Sequence, residues 1–153
     1  AGHVMAGAIA DKIIEASIVE KLGANQAISN PGRIGVAVDN GVVFLSGQVS
    51  YYHEKLIANS IVSWEKGVAG IEDQIKVVPN SDKIPSDQQL QQTLQEILQS
   101  QFPTERRVTV SAQDGVVTLG GLTKTLWTED QMVKEISSIL GVKKVISNLK
   151  LSK

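Results

Sequence analysis

Arg33-Ile-Gly-Val-Ala-Val-Asp-Asn-Gly-Val-Val-Phe-Leu-Ser-Gly47 and Arg107-Val-Thr-Val-Ser-Ala-Gln-Asp-Gly-Val-Val-Thr-Leu-Gly-Gly121 are two writings of one β-hairpin. Ile34, Val36 and Val38 alternate with smaller or polar residues, the period of a half-buried strand. Asn40-Gly41 breaks the alternation, and Asp114-Gly115 breaks it at the same place in the second copy. These are the favoured pairs for a two-residue type I′ turn. Val42 to Leu45 and Val116 to Leu119 are then return strands, ended by Gly47 and Gly121.

The match extends beyond the hairpin. A shift of 74 aligns residues 33–77 with 107–151 without a gap. Arg33, Val36, Gly41, Val42, Val43, Leu45, Gly47, Ser63, Gly67, Val68 and Lys76 fall on identical residues, 11 of 45 positions. The chain is therefore two copies of a small unit. Upstream of each hairpin an amphipathic helix is expected. Ile14, Ile18 and Leu22 recur every four residues after Asp11, and Leu90, Leu94 and Leu98 do so after Asp87. Gly23 suits a C-terminal cap, and Ser86 with Gln89 has the spacing of a capping box. These helices are offset by 76, so the loop through Asn30-Pro31-Gly32 is two residues longer than its counterpart. A second helix is expected over about 54–66 and 128–140, the latter opened by a Thr128–Gln131 capping box. Gly67 and Gly141 stop these helices, and a last strand follows through Ile71, Ile75 and Val77, or Val145, Leu149 and Leu151.

The expected fold is α+β: two tandem α-β-β-α-β units, each a three-stranded mixed sheet covered by two helices. The units span residues 11–78 and 86–153, joined by a polar linker over 79–85 bounded by Pro79 and Pro85. Ala1-Gly2-His3-Val4 reads as a cloning remnant, and residues 1–10 are expected to be a tag or a disordered N-terminus.

Composition narrows function. Net charge is −1 over 153 residues, and neither half has the basic excess that nucleic acid demands. With no cysteine, thiolate nucleophiles and thiolate metal sites are excluded. No apolar run approaches the ~20 residues of a transmembrane helix. His53, beside Tyr51 and Tyr52, lacks the partners of a metal site or a triad. Glu129-Asp130 falls in a helix's first turn, where the macrodipole accounts for acids. Glu72-Asp73 is expected at the surface. The paired glycines Gly41, Gly47, Gly67, Gly115, Gly121 and Gly141 sit at turns and strand ends, not in a phosphate-binding loop. No catalytic residue, cofactor or metal is expected.

The order of elements, the Asp-started helix, the strand–(Asn/Asp)-Gly–strand hairpin closing on Leu-x-Gly, and Gly141-Val142-Lys143-Lys144-Val145 leading into the last strand resemble the BON domain, in tandem. Unit one departs from that pattern at Gly70, where unit two has Lys144. The resemblance implies a non-enzymatic bacterial envelope protein, often periplasmic, with cytoplasmic members also known. It implies phospholipid binding and roles in envelope integrity or osmotic stress.

Leu126-Trp127 is the sharpest candidate for contact with an anionic phospholipid or an envelope protein. An aliphatic and an aromatic residue at a helix start, near Lys124, can enter a lipid interface while the cation meets headgroups. A hydrophobic staple packed on the helix is the competing reading. Lys143-Lys144 is a second basic pair, and Trp64 an unmatched aromatic. The alternatives to lipid are a scaffold that pairs through sheet edges, and a small ligand or ion held between units.

Overall fold

A computed structural model describes residues 2–152, with side chains from Gly7 onward. His3 lies outside the described side chains. The chain divides into two compact units, one of residues 2–50 with 54–78 and the other of 51–53 with 79–152.

Unit one contains α1 (Gly2–Ala24), a 3₁₀ turn (Pro31–Arg33), β1 (Ile34–Asp39), β2 (Val42–Val49), α2 (Tyr52–Ser63), β3 (Gly70–Asp73) and β4 (Lys76–Val77). Unit two contains α3 (Asp87–Gln101), β5 (Val108–Gln113), β6 (Val116–Thr123), α4 (Leu126–Ser137), β7 (Lys144–Ser147) and β8 (Lys150–Leu151). In each, the hairpin is antiparallel and the last strand lies parallel to the hairpin's second strand. The register is shared: Val36 faces Leu45 and Val110 faces Leu119. Asn40 and Asp114 have φ of 51° and 52°, and each following glycine has φ of 79°, so both central turn residues are left-handed as a type I′ turn requires.

Each helix pair covers one sheet face. Ile14, Ile18 and Leu22 meet Val43, Leu45, Ala58 and Val62 in unit one. Leu90, Leu94 and Leu98 meet Val117, Leu119, Met132 and Ile136 in unit two. Burying each such side chain stabilises by about 1.5–3 kcal/mol, and the i, i+4 spacing delivers them to one face.

Several sequence expectations are corrected. The last strand is broken in two: β3 and β4 both pair with β2, and β7 and β8 both pair with β6. At the break Ile75 turns into the core, and its N–H donates to Asp73 Oδ1 at 3.0 Å. Asp73 also lies 3.6 Å from Lys55 Nζ and accepts from Asn59, so it is a half-buried structural carboxylate and not a solvated one. α1 starts at Gly2, upstream of Asp11, and Gly23 lies inside it. The second helices begin at Tyr52 and Leu126, two residues earlier than expected. The N-cap of α4 is Thr125, whose Oγ1 accepts from the Thr128 N–H at 3.1 Å, so Thr128 is a helical residue and not a cap. The Ser86–Gln89 capping box is present in both directions.

Candidate functional site

The end of unit two away from the Asp114-Gly115 turn gathers cations around two exposed apolar side chains. Its geometry starts at Gly121, whose φ is 95°. A Cβ there would land on the carbonyl oxygen of Arg107. Glycine alone lets the Arg107 backbone lie against β6, where its carbonyl accepts from the Leu122 N–H at 3.1 Å. The preceding segment is held too: buried Thr123 donates through Oγ1 to Glu105 Oε2 at 3.2 Å. Arg106 and Arg107 thereby come beside Lys124, and the three line an open hollow of about 350 Å³ with Thr104, Glu105, Leu122 and Ser152. All three cations are exposed. Among the described residues, none of the three has a carboxylate within ion-pair distance.

Leu126 and Trp127 open α4 directly after Lys124 and the Thr125 cap. They are 67% and 70% exposed, so neither is a staple packed on its helix. Trp127 borders a second hollow of about 300 Å³ with Phe102 and Pro103, which shares Thr104 and Glu105 with the first. The arrangement sets two exposed apolar side chains at the same end of the unit as the three exposed cations, with Glu105 and Glu135 lining the hollow that Trp127 borders. It offers no nucleophile–base pair. Among the described residues no group of three or more His, Asp or Glu side chains is placed to hold a metal.

The sequence candidates do not form one site. Lys143 and Lys144 lie at the opposite end of the sheet: Lys143 N–H donates to the Gly115 carbonyl at 2.8 Å, and Lys144 pairs with Val116. The length of β6 separates them from Lys124, roughly 23 Å at strand rise. Arg106 and Arg107 are the residues that sequence reasoning missed. The signal was available, since counting outward from the two-residue turn sets residues 105–107 beside 122–124.

Unit one lacks this surface. At the aligned positions the first sequence repeat has Gly32 for Arg106, Ser50 for Lys124, and Tyr52 and His53 for Leu126 and Trp127. Tyr52 and His53 are half-buried, and the His53 ring stands 5.7 Å from that of Tyr51. Arg33 is turned to β2, donating to Gln48 Oε1 at 2.7 Å. Trp64 is 86% exposed just past the end of α2, remote in sequence from any cation cluster of its unit. Glu129 lies in the first turn of α4, and Asp130 pairs with Lys134 at 3.0 Å on its surface. The six paired glycines all have positive φ, from 79° to 96°. No helix among the described residues is long and apolar enough to cross a membrane.

Comparison with known proteins gives one family. The BON domain model matches residues 10–79 and again 86–153. No curated protein matches. Among solved structures, the C-terminal domain of CdsD, the structural protein of the type III secretion system of Chlamydia trachomatis, is similar at 17% identity with a TM-score of 0.40. The match covers 94% of this chain and 67% of that one. A second structure of CdsD matches at 18% identity and a TM-score of 0.37, covering 93% of this chain and 63% of that one.

Proposed function

The chain belongs to the BON domain family, and from that premise we propose a non-enzymatic envelope protein whose second unit docks on anionic phospholipid surfaces. One observation carries the reading: Leu126 and Trp127 stand exposed at the same end of the unit as the exposed cations Arg106, Arg107 and Lys124, and the first repeat has other residue types at all of these positions except Arg33. Leaving two large apolar side chains in water forgoes about 1.5–3 kcal/mol each. A bilayer interface recovers part of this, since indole prefers the headgroup level. Each cation adds about 1 kcal/mol at an anionic leaflet. The two contributions act at the same end of one unit, so the protein can lie on a membrane without spanning it. The BON family supports a periplasmic, envelope-associated setting and a role in envelope integrity or osmotic stress.

Vesicle co-sedimentation tests the reading. Binding to vesicles containing phosphatidylglycerol, weak binding to pure phosphatidylcholine, and loss of binding with added salt are expected. A Trp64→Phe variant leaves Trp127 as the reporter, and its emission shifts to the blue on insertion. Equal pelleting with neutral and anionic vesicles, or no pelleting at low salt, ends the proposal.

A further inference from the structure

The free edges of the two hairpins differ first in one side chain reaching them from the preceding helix. In unit two, Gln91 of α3 lies along the outer edge of β5. Its Nε2 donates to the Val110 carbonyl at 2.6 Å, and its Oε1 accepts from the Ala112 N–H at 2.9 Å. One amide thus occupies the C=O and N–H that a neighbouring strand would take. The same helix position in unit one, 76 residues earlier, is Glu15. A carboxylate has no N–H to offer a carbonyl, and Glu15 is engaged by Lys12 at 3.3 Å. Val36 and Val38 occupy the places of Val110 and Ala112 in the shared register. Their outward C=O and N–H therefore lie on an edge without the glutamine lock.

A second difference points the same way. β1 is bracketed by Arg33 and Asp39, both exposed, and pairing of β1 with a second β1 would draw the Arg33 guanidinium away from Gln48 Oε1, 2.7 Å from it here. Antiparallel pairing of two β1 strands about Val36 sets Arg33 of each copy opposite Asp39 of the other. It sets Ile34 opposite Val38 and brings the outward groups of Val36 and Val38 into hydrogen-bonded positions. Gly35 faces Ala37 across the exposed side, where two small residues leave room. Opposite charges across a strand pair favour this register. In unit two Asp39 is replaced by Gln113, so the same pairing would leave Arg107 without a counter-charge.

We propose that unit one joins a second copy of this chain edge to edge, β1 antiparallel to β1 about Val36, while Gln91 keeps the corresponding edge of unit two closed. The pairing is independent of the lipid surface, which lies on the other unit.

Sedimentation analysis of the whole chain, taken up to about 1 mM, tests it. A dimer is expected in wild type. Glu15→Gln transfers the lock to unit one and should weaken dimerisation roughly tenfold or more, with unchanged circular dichroism. Asp39→Arg should weaken it also, and adding Arg33→Asp should restore it, because the charge pair is only reversed. A single-chain mass at all concentrations overturns the proposal. So does a dimer that Glu15→Gln leaves intact, or an Asp39→Arg defect that Arg33→Asp fails to rescue.

Discussion

The carboxylate of Asp11 accepts the backbone N–H of Gly41 at 3.0 Å, and its other oxygen accepts that of Asn40 at 2.9 Å. The helix thus holds the tip of the hairpin by its left-handed turn. Asp87 does the same for Asp114 and Gly115, at 2.8 and 3.4 Å. This is why an aspartate recurs at the head of each core-facing stripe, whether or not the helix begins there. Hydrogen bonds to a charged acceptor contribute about 1.5–3 kcal/mol. Asp11→Ala should lower the stability of unit one by about 2 kcal/mol in urea unfolding followed by circular dichroism, and Asp87→Ala should do likewise for unit two. Asn at either position should recover only part of the loss, because its NH₂ group cannot accept.

Gly121→Ala is expected to be more damaging than a surface substitution has any reason to be. The new methyl group meets the Arg107 carbonyl oxygen, and φ of 95° is strained for any side chain. A loss of at least about 2 kcal/mol should appear in thermal or urea unfolding. Gly47→Ala should match it, since Arg33 stands against Gly47 in the same way. Gly23→Ala, inside α1 with open space around it, should instead be neutral or stabilising by up to about 1 kcal/mol.

Acid should weaken one tertiary contact of unit one. Lys21 Nζ donates to Glu65 Oε2, joining α1 to the segment after α2. That hydrogen bond holds the Glu65 carboxyl below its ordinary 4.5; burial opposes it, while Ser17 and the Lys21 charge add to it. A carboxyl depressed in the folded state contributes stability above its unfolded pKa, and the contribution is lost as pH falls through the folded value. Lys21→Ala should therefore cost about 0.5 kcal/mol at neutral pH. The gap between variant and wild type should close as titration proceeds below pH 4.5. A gap that is constant with pH would assign the loss to the lysine stem and not to its charge.

The hairpins were legible because Asn40-Gly41 and Asp114-Gly115 demand one turn type, which in turn dictates register. The buried stripes were legible because the i, i+4 spacing places apolar side chains on one helix face among polar or charged residues. The features absent from the sequence pattern depend on contacts without a local signature. The inward turn of Ile75 is held by Asp73 from the end of β3, and a pair of acids that reads as surface gives no hint of that. The α4 start was misplaced because Thr128 with Gln131 imitates a capping box, whereas Thr125 caps alone. Arg106 and Arg107 do not stand out as a site in the sequence, since the net charge of unit two is nearly balanced. Only the strand register brings them to Lys124.

That register makes the proposed lipid surface divisible by mutation. If the docking end is the one with Leu126 and Trp127, charge removed there must matter, and charge removed at the turn end must not. The double substitution Arg106→Ala with Arg107→Ala takes away two cations worth about 1 kcal/mol each at an anionic surface, a roughly 30-fold weaker partition. It should leave binding less sensitive to salt. Lys143→Ala with Lys144→Ala removes the same charge some 23 Å away by strand rise, beyond the ~8 Å screening length at physiological salt, and should change partition by less than about twofold. Trp127→Ala should weaken binding while preserving its salt dependence, because the indole acts by burial and not by charge. Measured on phosphatidylglycerol vesicles, equal losses from the two double variants would mean that the protein meets the membrane as a diffuse charge, with no preferred end.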